Sequence, residues 1–222
     1  MKDKKVILQS ILDKGILPLF YCDSPAVSLE VIRTLYKGGI RALEYTNRGG
    51  AALENFTFLK KTVTEEMPDL ALGIGTIKTA AEARAFIETG ADFIVAPIVH
   101  PEVAAIADQA GLLWIPGCMT PTEIAFAQTL KAPLIKIFPA NILGPEFVSS
   151  IRELFPGQLF IPTGGVEIEE GNIRAWFKAG VCAVGMGSRL ISKEVLKNEQ
   201  YDLLYKNTVI ALEMVEKVTG EI

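Results

Sequence analysis

The chain has 222 residues, of which 50% are hydrophobic and 22% are charged, with a formal net charge of −4. This length suits one α/β domain with a substantial core, and we expect a single domain over residues 1–222. The scattered basic residues argue against nucleic acid or an anionic membrane surface as a partner, and no apolar run reaches transmembrane length.

Short apolar runs alternate with helix-like segments along the whole chain. The predicted strands are apolar and bounded by turn residues: 16–21, 42–46, 70–74, 93–96, 113–115, 134–138, 159–161 and 183–184. The predicted helices lie between them: up to about 14, one that carries Val27, Val31, Ile32 and Leu35 and is closed by Gly38 and Gly39, 51–66, 79–89, 101–110, 121–130, 145–154, 171–179, short pieces after 188, and 200–218. Eight strand-then-helix units at intervals of roughly 20 to 25 residues predict an α/β fold, a single (β/α)8 TIM barrel with an N-terminal and a C-terminal helix.

One lysine interrupts the apolar strand LIKIF. Side chains alternate along a strand, so Lys136 shares a face with Leu134 and Phe138, opposite Ile135 and Ile137. Burial lowers the pKa of an amine, which favours attack on a carbonyl near neutral pH. We therefore interpret Lys136 as a Schiff-base lysine. The alternatives are a lysine that reaches solvent at the strand end and one held in a structural ion pair.

Further polar or turn-forming residues follow the predicted strands at their carboxyl ends, where the functional groups of such barrels collect. They are Glu44, Thr46, Arg48, Thr76, Pro97, Pro116, Thr163, Gly164, Gly165, Gly185, Gly187 and Ser188. Glu44 beside a buried lysine is either a structural counter-ion or a general acid and base. Arg48 suits forked hydrogen bonding to a carboxylate, or else lies on a surface loop.

Two glycine-rich loops suggest a phosphate site. IPTGGV follows the seventh predicted strand and VGMGS follows the eighth, where barrels often bind phosphate through backbone amides. The hydroxyl of Ser188 would add a donor. Each loop by itself is equally compatible with a tight turn.

The numbers and positions of the cysteines and histidines limit the cellular compartment of the protein and the kinds of site that it can contain. Three cysteines lie far apart without a CxxC pair, and the N-terminus has no secretory apolar region, so we expect a cytoplasmic protein with reduced thiols. His100 is the only histidine, which excludes histidine-rich metal sites and leaves any catalytic triad dependent on it. We expect neither a metal nor another cofactor.

Five motifs occur in an order that resembles the 2-keto-3-deoxy-6-phosphogluconate (KDPG) aldolase family, the class I pyruvate aldolases, which includes 4-hydroxy-2-oxoglutarate (KHG) aldolases. They are LEYTNR (43–48), GIGT (73–76), PGCMTPTE (116–123), KIFPA (136–140) and PTGG (162–165). The resemblance extends from about residue 16 to residue 188. The resemblance implies a barrel fold and an enzyme that acts on a small keto acid, cleaving KDPG to pyruvate and glyceraldehyde 3-phosphate. It also implies a homotrimer.

The resemblance also implies roles for individual residues. Lys136 would form the Schiff base and Glu44 would move protons. Arg48 and Thr76 would bind the pyruvate carboxylate, and Phe138 and Thr163 would line the pocket. The phosphate would bind four residues of the glycine-rich loops: Gly164, Gly165, Gly187 and Ser188.

Two departures from the family pattern affect the aldehyde end of the substrate. Asn141 stands where a glutamate is frequent, and the segment GMGSRL differs from that of shorter members. The alternatives are therefore cleavage of KHG to pyruvate and glyoxylate, or of the phosphogalactonate epimer. Two readings of a different class are a phosphate-binding barrel isomerase or synthase, and a non-catalytic barrel that binds phosphorylated metabolites.

Overall fold

A computed structural model describes residues 2–222. The strands are β1 (Ile16–Phe20), β2 (Ala42–Thr46), β3 (Ala71–Gly75), β4 (Phe93–Val95), β5 (Leu113–Ile115), β6 (Gly117–Cys118), β7 (Leu134–Ile137), β8 (Leu159–Pro162) and β9 (Val184–Met186). The helices are α1 (Lys4–Lys14), α2 (Pro25–Lys37), α3 (Ala52–Glu66), α4 (Ala80–Glu88), α5 (Pro101–Gln109), α6 (Pro121–Thr129), α7 (Ala140–Ile151), α8 (Glu170–Ala179), α9 (Lys193–Lys197) and α10 (Tyr201–Gly220).

The strands form two parallel sheets. A curled six-stranded sheet has the order β5-β4-β3-β2-β1-β9, and a three-stranded sheet has the order β6-β7-β8. The α/β class is confirmed, whereas the described residues contain nine strands instead of the eight predicted. The additional strand is β6, which was not predicted; it follows the predicted strand 113–115 and is separated from it by Pro116, which has no N–H to donate to a neighbouring strand.

Alternating side chains divide the apolar core into two layers. Ile135 and Ile137 belong to the larger layer, between the strands and the surrounding helices. Leu134 belongs to the smaller layer, enclosed by the strands. Ile7 and Ile11 of α1 pack into this inner layer. The alternation predicted for the strand of Lys136 is therefore confirmed, and it directs the amine inward.

Most predicted helix boundaries lie within two residues of those observed, but α7 begins at Ala140 instead of near 145. Gly144 adopts φ +73° within it and interrupts the helix, and Pro145 starts the second part. The long helix α10 contacts α2 and α8 of its own chain. Among residues 2–222, none of the helices has the length and apolar composition needed to cross a membrane.

Two helices begin with the same local hydrogen-bonding pattern. Thr79 precedes α4 and bonds reciprocally with Glu82, and Thr120 precedes α6 and bonds reciprocally with Glu123. In each case the threonine hydroxyl accepts from the glutamate N–H, and the glutamate carboxylate accepts from the threonine N–H. These boxes fix the start of each helix at the carboxyl end of the preceding strand.

Candidate active site

Lys136 on β7 and Glu44 on β2 meet on the inner side of the two sheets. The Lys136 Nζ lies 3.8 Å from Glu44 Oε1. Both residues are buried, with exposed fractions of 5% and 1%. The structure therefore brings the proposed nucleophile and the proposed proton carrier together, away from solvent.

Burial shifts the pKa of both groups toward their neutral forms. Desolvation lowers the pKa of Lys136; the charge of Glu44 opposes this shift, and the charge of Arg48 adds to it. Desolvation raises the pKa of Glu44, against the opposing effect of Lys136 and Arg48. A neutral amine and a protonated carboxyl are the forms that attack a carbonyl and donate a proton.

A glycine on β3 makes room for the Glu44 carboxylate. A side-chain carbon at Gly75 would overlap Glu44 Oε1, so only glycine fits opposite this carboxylate. In the described part of the chain Glu44 Oε1 is buried and has no hydrogen-bond partner. The oxygen is thus a free acceptor that faces the lysine.

Arg48 and Thr76 follow adjacent strands and lie on neighbouring loops. The N–H of Asn47 donates to the carbonyl of Gly75 over 2.8 Å, which joins the two loops next to these residues. Arg48 is exposed, and its charge is close enough to affect the pKa of both Glu44 and Lys136. Thr76 is half-buried and has φ +63°, a left-handed conformation that is strained for a β-branched residue.

Phe138 and Pro97 lie on the side of Lys136 nearer to β6. The amine is 5.1 Å from the centre of the Phe138 ring. Gly117 pairs with Lys136 across the strands, and a side-chain carbon on Gly117 would lie 2.5 Å from the carbonyl oxygen of Pro97. Pro97 is therefore packed against the strand that neighbours the lysine.

The two glycine-rich loops leave adjacent strand ends, because Thr163 and Gly185 form a parallel bridge. Thr163 is buried, and Gly164 and Gly165 adopt φ +101° and +72°. Gly187 is half-buried and Ser188 is exposed. Within residues 2–222, the loop amides that donate no hydrogen bond to another backbone group include those of Gly164, Gly165, Ser188 and Arg189. Such amides can bind an anion.

Asn141, at the start of α7, packs against the first of these loops. A side-chain carbon on Gly165 would lie 2.8 Å from Asn141 Cβ, and one on Gly164 would lie 3.0 Å from Asn141 Oδ1. The residue that departs from the family pattern is thus adjacent to the loop of the expected phosphate site.

Sequence reasoning did not assign roles to Gly75 and Gly117. Both lie within strands, where glycine weakens the sheet and often marks a close approach of another group. That signal was present in the sequence. The groups approached, Glu44 Oε1 and the Pro97 carbonyl, became identifiable only from the structure. In the part of the chain described, no group of three or more potential metal ligands occurs.

Comparison with known proteins agrees with this geometry. A family model described as KDPG and KHG aldolase matches residues 7–207. A probable 2-dehydro-3-deoxy-6-phosphogalactonate aldolase of Rhizobium meliloti is 35% identical over 119 residues, 54% of this chain and 56% of that protein. The chain thus matches about half the length of that relative. A 2-dehydro-3-deoxy-phosphogluconate aldolase of Dickeya dadantii is 27% identical over 99% of this chain and 100% of that protein.

A solved structure extends the comparison to three dimensions. The KDPG aldolase of Legionella pneumophila, with pyruvate captured at low pH as a covalent carbinolamine intermediate, superposes with a TM-score of 0.83. It is 25% identical, and the match covers 91% of this chain and 96% of that one. Because the family model spans 7–207 of the 222 residues, the chain belongs to the KDPG and KHG aldolase family.

Proposed function

We propose that the chain is a lyase, a class I aldolase that reversibly cleaves KDPG to pyruvate and glyceraldehyde 3-phosphate. The observation that carries this proposal is the buried pair in which Lys136 Nζ lies 3.8 Å from Glu44 Oε1. Family membership and the names of the relatives support the same reaction. No cofactor is required by the mechanism below.

The proposed reaction begins with attack of the neutral Lys136 amine on the C2 keto carbon, which forms a C–N bond and a carbinolamine. Loss of the carbinolamine hydroxyl as water gives an iminium. Removal of the C4 hydroxyl proton then breaks the C3–C4 bond, and the iminium accepts the electron pair. The aldehyde leaves, protonation at C3 converts the enamine to an iminium, and water releases pyruvate and restores the amine.

Glu44 is the proposed proton carrier in these steps. Its raised pKa keeps a proton available for the departing hydroxyl. The carboxylate formed in that step then accepts the proton of the C4 hydroxyl, so proton donation and removal balance. Within residues 2–222, Oε1 accepts no hydrogen bond and faces the Lys136 amine, so it is available as an acceptor for substrate bound to that amine.

The remaining site residues are proposed to bind the two ends of the substrate. Arg48 and Thr76 receive the carboxylate next to the keto carbon, and Phe138, Pro97 and Thr163 enclose the reacting atoms. The phosphate binds the loop amides and the Ser188 hydroxyl. Gly185 lies at the base of the phosphate site, where its missing side chain leaves room for Thr163 Oγ1.

Related substrates are the second candidates. The Rhizobium relative is named for the phosphogalactonate epimer, and the matching family includes KHG aldolases. Cleavage of KHG would use the same amine without the phosphate loops. An isomerase, a synthase or a non-catalytic metabolite-binding barrel would form no covalent adduct at Lys136.

We also propose the finer architecture expected from the sequence: one domain that forms an eight-stranded barrel. In this proposal the two sheets close on each other, and β5 and β6 together take the place of the fifth predicted strand. Two contacts support closure. The N–H of Lys136 donates to the carbonyl of Pro116 over 2.8 Å, and Thr163 bridges to Gly185. A homotrimer in the cytoplasm remains our proposal for the assembly and its location.

Reductive trapping tests the reaction class. We expect incubation with pyruvate and cyanoborohydride to add a single pyruvate-derived group to Lys136, because the reagent reduces an iminium to a stable amine. Peptide mass mapping locates the group. Absence of label, or label on another lysine, would contradict the Schiff-base mechanism, while label on Lys136 excludes the isomerase and the binding barrel.

Removal of the Ser188 hydroxyl tests the phosphate site. We expect Ser188→Ala to lower kcat/KM for KDPG by about tenfold, since it removes one hydrogen bond to a charged group. The value for unphosphorylated KHG should not change. Ser149→Ala, on an exposed face of α7, is the control and should leave both values unchanged. Equal losses for both substrates in Ser188→Ala would argue against a phosphate site at these loops.

A further inference from the structure

A side-chain hydrogen bond connects the two loops that carry Arg48 and Thr76. Asn47 Nδ2 donates to Glu82 Oε1 over 3.3 Å. The other oxygen of Glu82 accepts from the backbone N–H groups of Lys78 and Thr79, over 2.8 and 3.0 Å. Glu82 therefore contacts the loop after β2 through one oxygen and the loop after β3 through the other.

This arrangement goes beyond the usual role of a glutamate at the start of a helix. Glu123 occupies the same position in α6, and its Oε2 accepts from the N–H groups of Met119 and Thr120. Its hydrogen bonds in the described structure all stay within its own loop. Glu82 thus differs from Glu123 in having a cross-loop partner, Asn47.

The linked residues lie next to the expected carboxylate site. Asn47 immediately precedes Arg48, and its own N–H is bonded to Gly75, which precedes Thr76. Arg48 is exposed, so the backbone of its loop, rather than packing of its side chain, sets its position. Thr76 has a strained backbone, which persists only when the surrounding structure holds it.

We propose that Asn47 and Glu82 are positioning residues, whose hydrogen bond sets the distance between Arg48 and Thr76 and thereby the affinity for the keto-acid carboxylate. This inference rests on the proposed function of the site. Neither residue touches the reacting atoms, so their removal should weaken substrate binding and leave the reactivity of Lys136 intact.

A double-mutant cycle tests the bridge. We expect Asn47→Ala and Glu82→Ala each to raise KM for KDPG by about tenfold, with little change in kcat. The double variant should resemble the single ones, because both changes remove the same bond. If the two tenfold increases in KM multiplied in the double variant, the proposal would be overturned. An unchanged KM in Asn47→Ala would overturn it as well.

Glu123→Ala is the matched control, because it removes the same helix-start interaction without a cross-loop bond. It should lower the melting temperature as Glu82→Ala does and leave KM unchanged. A tenfold increase of KM in Glu123→Ala would assign the effect to capping and overturn the proposal. Asn47→Ala leaves both capping boxes intact, so it decides the question even if Glu82→Ala does not fold.

Trapping with pyruvate separates this inference from the reaction on which it depends. At saturating pyruvate, Asn47→Ala should label Lys136 to the wild-type extent, with half-maximal labelling shifted to higher pyruvate concentration. Failure of the wild-type protein to label would overturn the aldolase mechanism and this inference together. Labelling of both proteins at the same pyruvate concentration would overturn only the positioning role.

Discussion

Lys136→Met should abolish aldol cleavage, with a loss in kcat/KM on the order of 10⁴-fold or more, because no other group in the site can form the covalent intermediate. Methionine occupies a similar volume in the inner layer and has no amine. The coupled assay of pyruvate release measures the loss, and reductive trapping should give no label. Residual turnover within tenfold of wild type would show that the lysine is not the nucleophile.

The same substitution should change how stability depends on pH. In the wild type the two shifts oppose each other: the lowered pKa of Lys136 disfavours proton binding by the folded state, and the raised pKa of Glu44 favours it. Replacement of Lys136 removes the charge that lowers the pKa of Glu44, so that pKa rises still further above its unfolded value. At pH values between the unfolded and the folded pKa of Glu44, the folded state binds more protons than the unfolded state. The free energy of unfolding therefore decreases as pH rises.

Urea unfolding of the variant and the wild type from about pH 5 to about pH 8 measures this change. As pH rises, the free energy of unfolding of Lys136→Met should fall relative to that of the wild type, by up to about 1.4 kcal/mol per pH unit. The double variant Lys136→Met/Glu44→Gln has no titrating group at the site and should show no such slope. A slope that persists in the double variant would assign the effect to other groups.

Glu44→Gln should lower kcat by about 10²- to 10⁴-fold, the usual contribution of general acid–base catalysis. The amide retains the volume of the carboxylate but cannot carry the proton. The charge of Glu44 raises the pKa of Lys136, so its removal should lower that pKa further. The neutral amine should then persist to lower pH, and the rate of pyruvate trapping should decline at a lower pH than in the wild type.

Glu102→Gln provides the control, since Glu102 is an exposed glutamate in the first turn of α5. It should change neither kcat nor the pH dependence of trapping. A shift of the trapping profile to higher pH in Glu44→Gln would contradict the electrostatic coupling. An unchanged kcat would leave Glu44 as a structural counter-ion, the alternative that the sequence also allowed.

The sequence predicted the position of Lys136 well because strand alternation is a local property. Five consecutive residues were enough to place Lys136 on the face opposite Ile135 and Ile137, and the structure shows that this face is the inner one, where Glu44 also lies. The order of strands and helices was also predictable, since apolar runs and turn residues are short-range signals.

Features that depend on contacts distant in sequence could not be predicted in this way. The short strand β6 was not predicted, because the apolar run ends at Ile115 and β6 is defined by its pairing with β7, which lies further along the chain. The early start of α7 depends partly on the N–H of Ala140, which donates to the carbonyl of Thr163. The bond between Asn47 and Glu82 joins residues 35 positions apart, and no local pattern pairs them.

The close approach of Gly75 to Glu44 restricts how this chain can change during evolution. Every amino acid except glycine would bring at position 75 an atom into the space that the carboxylate occupies. Substitution of Gly75 is therefore disfavoured for as long as Glu44 is retained in this position. A larger residue at 75 would displace the carboxylate from its present position opposite Lys136, so the two positions are expected to be inherited together.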